Sequence, residues 1–332
     1  MNPVPLPTLA SRRDFLSLRA PRSTPDHWIR VFRRAMACRF EIALLAEDAR
    51  CVRAASRALD LADEVEQAIS VFREESELVR LNRNAAEAPV RATAQMLALL
   101  RLCRDVHSAT DGAFDVTTTP LSRVWGFLER HGRVPDPEDL AAARALVGFE
   151  KIGIEDGQVG FGSPGVEVSF GGVGKGWALD RMAERLRDEG VERALLSAGG
   201  SSFRALGGTQ GEFVVDVGAG QDAPIARVHL ERAALGVSTA SEQYFESEGR
   251  RYGHVLDPRT GWPVAGMRAA VAIAPQAAQA DALATAFFVG GAAVAERYCA
   301  THLNVLALVA PEGSGPAQVF GQCEAGTLES PG

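Results

Sequence analysis

Val168–Asp180 has the sequence VSFGGVGKGWALD and joins an alternating apolar run to a helical pattern through a group of glycines. The alternation predicts a strand, and the pattern from Trp177 predicts an amphipathic helix. Glycines let backbone N–H groups approach an anion at a helix start, and Lys175 adds a positive charge there. The stretch predicts a phosphate site at a strand-to-helix junction. A plain turn with a surface lysine is the alternative.

This junction matches neither of the two common nucleotide motifs. A P-loop requires a glycine five residues before its Gly-Lys pair and a Ser or Thr after it, and these positions hold Ser169 and Gly176. A literal G-x-G-x-x-G occurs at Gly160, Gly162 and Gly165, but a proline interrupts it and a β-rich run follows. That pattern is typical of a hairpin rather than of a dinucleotide site. Neither nucleotide motif therefore describes the predicted phosphate site.

Composition restricts the class of protein. The chain has 332 residues, of which 46% are hydrophobic, so it can form a large core. The net charge of −7 and the absence of a dense basic cluster with interleaved aromatics argue against a nucleic-acid surface. Its five cysteines form no C-x-x-C pair, which argues against zinc and a disulfide framework. Helical and strand patterns are mixed without strict βαβ alternation, which favours an α+β fold over a doubly wound one.

The chain is predicted to contain one domain with two flexible ends. Residues 1–25 are rich in Pro, Ser and Arg and are expected to be extended or disordered, residues 26–320 form the domain, and residues 321–332 form a flexible tail. SRRDFL at positions 11–16 resembles a twin-arginine export signal but lacks an apolar region of about 7–15 residues. We expect a cytoplasmic protein, with export as the alternative, and no stable membrane insertion, because no run approaches the ~18–20 apolar residues of a spanning helix.

Asp281 and Thr285 are candidate metal ligands. They stand four residues apart in an alanine-rich helical pattern, so their oxygens share one helix face. Hard oxygen ligands suit Mg²⁺, which commonly takes one or two protein groups and leaves its other positions to substrate phosphates. The alternative is that Asp281 is favoured by the helix dipole and that Thr285 is a packing residue.

Two further features could carry chemistry. His254 ends a predicted strand before a proline turn, and its imidazole could act as a base near neutral pH or be a structural residue. Asp257 is more simply explained as the cap of that turn. The GAFD sequence at positions 112–115 could wrap a flat ligand, or it could be a helix C-cap followed by a core Phe.

These motifs occur together in one order, and in that order the chain resembles the ApbE family, the FAD:protein FMN transferases, from about Met36 to about Val309. The segments that carry the resemblance are Met36-Ala-Cys, Ser76–Asn82 (SELVRLN), GAFD at 112–115, Trp125-Gly-Phe127, Gly171–Asp180, Gly199-Gly200, Tyr252–Gly261 (YGHVLDPRTG) and Ala280–Thr285 (ADALAT).

The resemblance implies a T-fold-like α+β architecture with two interlocked halves, FAD bound between them and Mg²⁺ at its diphosphate. It implies that a threonine hydroxyl of an acceptor protein, expected to be a redox subunit, attacks the FMN phosphorus, and that AMP leaves. Two alternatives stay open. One is an FAD diphosphatase that yields FMN and AMP, and the other is a non-catalytic FAD-binding protein.

The resemblance also implies roles for particular residues. The FAD site should be lined by Met36, Phe72, Ala113, Phe114, Asp115, Ser169, Lys175, His254 and Val255. The metal ligands should be Asp281, Thr285 and the backbone carbonyl of Gly172, and His254 should assist deprotonation of the acceptor threonine. The chain departs from the family pattern at Ser169 and Ser201, where Asp is usual, and at Met36-Ala-Cys38, where Met-Gly-Thr is usual.

Overall fold

An antiparallel sheet of eight strands organises the fold. The computed structural model of the chain describes residues 16–19, 28–208, 213–218, 224–240, 243–313 and 315–329. The strands are β1 (Leu16–Arg19), β2 (Trp28–Ala35), β3 (Cys38–Leu45), β4 (Val90–Arg91), β5 (Ile152–Glu155), β6 (Gln158–Phe161), β7 (Ala194–Ala198), β8 (Ser202–Leu206), β9 (Phe213–Val217), β10 (Ala226–Leu230), β11 (Ala234–Thr239), β12 (Tyr244–Ser247), β13 (Arg250–Gly253), β14 (Met267–Ala274), β15 (Val305–Pro311), β16 (Gln318–Gln322) and β17 (Gly326–Glu329). The helices are α1 (Val52–Ile69), α2 (Glu77–Asn84), α3 (Ala94–Ala109), α4 (Thr119–Val124), α5 (Pro137–Ala145), α6 (Gly174–Asp188) and α7 (Ala277–Thr301).

The strand order of the large sheet is β16-β15-β14-β11-β8-β7-β3-β2, so it combines strands from the first and last parts of the chain. Helices and antiparallel strands are mixed without βαβ alternation, which confirms the predicted α+β class. The two interlocked halves, with FAD between them, stay a prediction.

Alternating side chains give the large sheet two different faces. Along β14, Ala270, Ala272 and Ala274 belong to the core that contains α1, α3, α6 and α7. Val271 and Ile273 point to the other face, where they pack with the strands of a smaller sheet in the order β1-β9-β10-β17. The small alanine side chains let α7 lie close to the sheet. The result is three layers: helices, the large sheet and the small sheet.

The two predicted ends differ in what the structure shows. β17 pairs with β10, and β16 pairs with β15, so residues 321–329 are not the flexible tail that the sequence predicts. These strands are too short for an alternation to be recognised, and the partner of β17 lies about 100 residues earlier in the sequence. The predicted arm at 1–25 lies outside the described residues, apart from β1, which pairs with β9. The SRRDFL segment is also outside them, except for its last residue.

α7 corrects the expectation that no segment is apolar and long enough to cross a membrane. Among the described helices it alone meets that criterion, with 25 residues and a mean hydropathy of 1.3 in its most apolar window. Of that window, 61% is buried inside the protein, against β11, β14 and β15. A left-handed residue, Gly291 with φ +62°, interrupts the helix near its middle. The apolar character of α7 therefore serves the core.

The glycine junction folds differently from its prediction. α6 begins at Gly174 rather than at Trp177, so Lys175 lies in the first helical turn. Val168 is not in a strand, because the side-chain amide of Asn82 bonds both its N–H and its C=O at 2.9 Å. The Asn82 amide takes the place of a neighbouring strand. The apolar residues whose alternation predicts a strand are still the buried ones.

Close contacts fix the first turns of α7 on α6 and β11. A Cβ added to Gly176 would lie 2.1 Å from the carbonyl oxygen of Ala277, and one added to Gly236 would lie 2.4 Å from that of Ala280. The Asp180 carboxylate accepts hydrogen bonds from two backbone N–H groups in the first turn of α7, each at 2.9 Å. This packing holds α7 beside the glycine junction.

Candidate functional site

Asp281 is a buried carboxyl in the second turn of α7, with 7% of the residue exposed. Its Oδ2 accepts a hydrogen bond from the N–H of Gly176 at 2.7 Å. Burial raises the pKa of Asp281 to about 7, although the charge of Lys175 and the hydrogen bond from Gly176 favour the ionised form. Nearby donors therefore do not fully compensate the loss of solvation, and a bound cation would stabilise the carboxylate.

Thr285 and Gly172 are in contact beside this carboxyl. Thr285 Oγ1 bonds the backbone oxygen of Asp281 at 3.2 Å and lies 3.4 Å from Ser238 Oγ. A Cβ added to Gly172 would lie 3.1 Å from Thr285 Oγ1, so the glycine junction passes directly over that hydroxyl. The structure thus brings together the three residues predicted to bind metal.

The donor set at this point fits Mg²⁺. Among the described residues, no three His, Cys, Asp or Glu side chains form a cluster that could hold a metal ion. A carboxylate, a hydroxyl and a backbone carbonyl are nevertheless hard oxygen donors, and Mg²⁺ commonly uses one or two protein groups together with substrate phosphates. The insufficiently solvated carboxyl of Asp281 is the observation that favours a cation here.

Lys175 presents a positive charge near Asp281. Its Nζ hydrogen-bonds Ser201 Oγ, in the turn between β7 and β8. Within the ranges that the structure describes, no carboxylate lies within 4 Å of this ammonium group, so its partner is neutral. An ammonium group without a paired carboxylate at a helix start suits a phosphate. Ser201, which the sequence marks only as a departure from the family pattern, thus positions Lys175.

The GAFD loop has the geometry of a helix C-cap followed by a core Phe. Gly112 adopts φ +71°, and its N–H bonds the His107 carbonyl at 3.0 Å. Ala113 and Phe114 are both buried. The Phe114 ring nevertheless reaches the junction, because a Cβ added to Gly172 would lie 3.4 Å from its Cε2. The loop therefore packs against the predicted metal site.

Asp115 organises this loop from inside. Its Oδ1 accepts from the N–H and Oγ1 of Thr117 at 2.7 and 2.6 Å, and its Oδ2 accepts from the N–H of Phe149 at 3.1 Å. His107 Nδ1 lies 3.1 Å from the same Oδ2. Both carboxylate oxygens are engaged by protein donors, so Asp115 would act on a ligand through the shape of the loop.

His254 has a defined tautomer. Its backbone N–H and its ring Nδ1 lie 3.0 and 3.1 Å from the carbonyl oxygen of Gln243. Because a carbonyl only accepts, Nδ1 carries the proton, and Nε2 is the basic nitrogen of the neutral ring. The carbonyl of Val255 accepts from the N–H of Val264 at 2.9 Å. Asp257 Oδ1 accepts from the N–H of Arg259 at 2.9 Å, as expected of a turn cap.

The remaining predicted flavin contacts lie in turns and an irregular segment. Phe72 follows α1 and is 79% exposed. Met36 adopts φ +48° in the turn between β2 and β3. Ser169 is held through its backbone, whose N–H donates to the Val116 carbonyl at 2.8 Å. These positions are exposed or partly buried, and a ligand could contact them.

Several contacts of the site have no recognisable signal in the sequence. Ser238 is 47 positions from Thr285, and Asn82 is 86 positions from Val168. His107 stands outside every motif that suggested chemistry, yet it contacts Asp115. A local pattern does not reveal contacts at such separations.

Comparisons with known proteins agree with the observed fold. The ApbE family model matches residues 36–309. The FAD:protein FMN transferase of Vibrio cholerae serotype O1 is 31% identical over 262 residues, which cover 75% of this chain and 77% of that protein. The enzyme of the same name from Haemophilus influenzae is 31% identical over 242 residues, 69% of this chain and 70% of the relative.

Solved structures are also similar to this one. The crystal structure of the ApbE protein from Thermotoga maritima superposes with a TM-score of 0.79 and 27% identity, covering 88% of this chain and 97% of that one. The flavin transferase ApbE from Vibrio cholerae gives a TM-score of 0.74 and 25% identity, covering 89% and 97%. Both the sequence and the fold therefore match over most of the chain.

Proposed function

This chain belongs to the ApbE family, and on that premise we propose that it is a flavin transferase that moves FMN from FAD to a threonine of an acceptor protein and releases AMP. The observation that carries the proposal is the buried carboxyl of Asp281, which lies beside Thr285 and Gly172 and near the charge of Lys175. A diphosphate would meet an ammonium group and a set of hard oxygen donors at one place.

In the proposed reaction, the threonine oxygen attacks the FMN-side phosphorus of FAD. A new P–O bond forms to threonine, the bond from that phosphorus to the bridging oxygen breaks, and AMP keeps the bridging oxygen. Nε2 of His254 takes the proton of the threonine hydroxyl. The products are AMP and a threonine linked to FMN by a phosphoester. The protein itself has little covalent chemistry to perform and acts mainly by positioning and charge stabilisation.

The chain's own residues hold and polarise the diphosphate. Lys175 neutralises phosphate charge, and Asp281, Thr285 and the Gly172 carbonyl would bind Mg²⁺. When bound there, Mg²⁺ supplies charge stabilisation for the diphosphate oxygens. The flavin contacts are proposed for Met36, Phe72, Ala113, Phe114, Asp115, Ser169, His254 and Val255. The acceptor is proposed to be a redox subunit.

The proposal is tested with purified protein, FAD, Mg²⁺ and a redox domain that carries a candidate threonine. AMP is quantified by chromatography, and flavin on the acceptor is detected by in-gel fluorescence. We expect equal amounts of AMP and labelled acceptor. AMP without any labelled acceptor would indicate a diphosphatase, and intact FAD would indicate a binding protein.

We expect His254→Asn to slow flavin transfer by about 100-fold or more, because the variant lacks a basic nitrogen in place of Nε2. The amide can still donate to the Gln243 carbonyl, so the local backbone should be kept. The measurement is single-turnover labelling of the acceptor, with FAD affinity determined in parallel. Labelling at the wild-type rate would exclude His254 as the base.

We expect Gly172→Ala to raise the Mg²⁺ concentration for half-maximal AMP release by about tenfold. The new methyl group would lie 3.1 Å from Thr285 Oγ1, so it would displace a proposed ligand. Gly171→Ala is the matched control, because its methyl group would be 3.9 Å from the nearest neighbour atom, Ser169 Oγ. An unchanged Mg²⁺ requirement in Gly172→Ala would contradict the metal assignment.

A further inference from the structure

His107 makes a contact that the proposed reaction does not use. It lies in the last turn of α3, and its Nδ1 is 3.1 Å from both the Phe114 carbonyl oxygen and Asp115 Oδ2. Because the carbonyl only accepts, Nδ1 carries a proton. A Cβ added to Gly112 would lie 3.5 Å from His107 Cε1, and the Phe149 ring is 5.8 Å away between centroids. The loop at 112–117 therefore folds around the imidazole.

This loop connects His107 to the proposed diphosphate site. The backbone oxygen that accepts from His107 belongs to Phe114, whose ring packs against Gly172. Gly172 in turn contacts Thr285. A change in the strength of the His107 contacts would therefore alter where the Phe114 ring sits relative to the bound diphosphate.

Carboxylates face the His107 ring from two elements. Burial lowers the pKa of His107, but the hydrogen bond and charge of Asp115, a backbone carbonyl and the charge of Glu150 together raise it above its ordinary value. Lys151, which pairs with Glu150 at 3.0 Å, is the cation next to that carboxylate. On α3 itself, burial and the charge of Asp115 raise the pKa of Cys103, so this thiol stays neutral.

We propose that His107 is a positioning residue for FAD, a role that rests on the proposed function: its imidazolium, paired with Asp115, holds the 112–117 loop so that the Phe114 ring packs against the glycine junction. A hydrogen bond between two charged groups is stronger than one from a neutral ring. FAD should therefore bind more tightly when His107 is charged and more weakly as the pH rises through its raised pKa. The contribution of this pair to fold stability has the same pH dependence. It is fully present below the pKa that His107 has in the unfolded chain, and it is lost as the pH rises through the higher pKa of the folded protein.

The test compares wild type with His107→Asn, whose amide replaces Nδ1 as a donor but does not gain a proton. The dissociation constant of FAD is measured by flavin fluorescence without Mg²⁺ between about pH 5.5 and 8.5. We expect the wild-type constant to rise about fivefold more than that of His107→Asn over this range. Every other group that titrates in this range, Asp281 included, is present in both proteins, so its effect cancels in the ratio of the two constants. Parallel pH profiles would overturn the proposal.

Two further measurements keep the outcome clear. His107→Gln should also lack the pH-dependent component, and it serves if His107→Asn does not fold. NMR of the His107 ring should give a pKa above 6.5 in wild type and a lower one in Asp115→Asn. An unchanged His107 pKa in Asp115→Asn would also overturn the pairing. A wild-type protein that binds no FAD at any pH would instead refute the proposed function.

Discussion

Replacing Asp281 by alanine should reduce Mg²⁺-dependent AMP release by more than about 100-fold. Asp281 supplies the only carboxylate among the three proposed metal ligands, and it also accepts the N–H of Gly176 at 2.7 Å. Without it, a cation would face only a hydroxyl and a carbonyl, which carry no charge to balance it. The measurement is AMP release against Mg²⁺ concentration, with Thr285→Val as a milder companion that should mainly raise the Mg²⁺ requirement.

Replacing Asp281 by asparagine, which keeps an oxygen acceptor for the Gly176 N–H, should not weaken the metal-free fold. The carboxyl of Asp281 has a folded-state pKa of about 7, against an ordinary value of 3.8. The folded protein therefore holds this proton more tightly than the unfolded chain, and ionisation reduces stability increasingly as the pH rises between these values. Above that range, the penalty is on the order of a few kcal/mol.

Thermal unfolding without metal at about pH 8 tests this expected effect on stability. We expect Asp281→Asn to unfold at the wild-type temperature or above it, although it is inactive. Wild-type turnover in either variant would refute the metal assignment. An unfolding temperature well below that of wild type would show instead that the carboxylate mainly stabilises the fold.

Gly176→Val should destabilise the protein by about 3 kcal/mol or more, or prevent folding. A Cβ at this position would lie 2.1 Å from the Ala277 carbonyl oxygen and 2.6 Å from the N–H nitrogen of Ala278. Those atoms belong to the backbone of α7 and cannot move aside as a flexible side chain could. The substitution would push α6 and α7 apart, and Asp281 would lose its hydrogen bond from position 176.

The measurement is the free energy of unfolding of Gly176→Val, compared with that of Gly171→Ala, from chemical denaturation. Gly171 lies in the same glycine junction, where an added Cβ would approach its nearest neighbour, Ser169 Oγ, only to 3.9 Å, so its replacement should cost less than about 1 kcal/mol. Equal stability of the two variants would show that the close contact between α6 and α7 is not required.

The sequence predicted the fold class and several helices because these depend on local periodicity. Apolar residues at helical spacing over Thr93–Thr110 predict the helix found as α3, and the G-x-G-x-x-G run that is typical of a hairpin begins in β6, which pairs with β5. The glycine junction was harder to predict. Its glycines suggested an anion site, but Gly176 also allows close packing between helices, a requirement that comes from a segment about 100 residues later. The alternating apolar run at Val168 likewise predicts a strand. It does not reveal that the Asn82 side chain, rather than a neighbouring strand, bonds the backbone there.

Within the candidate site, the local spacing was informative and the long-range partners were not. The four-residue spacing correctly placed Asp281 and Thr285 together, since Thr285 Oγ1 bonds the backbone of Asp281. Nothing in the sequence indicated that Ser201 would bond Lys175 across 26 positions, or that His107 would reach Asp115. These contacts depend on how the loops return to the sheet. The residue roles implied by the family stay predictions until the variants above are measured.

The strand order of the large sheet also determines when the site is complete during synthesis. β3 gains its inner neighbour only when β7 has emerged, and α7 emerges after six of the eight strands of the sheet. A ribosome-bound chain that ends before Ala277 would contain the glycine junction and Lys175 but not Asp281 or Thr285. A nascent chain could therefore attract an anion before it contained the proposed metal-binding side chains, which lie in about the last sixth of the sequence.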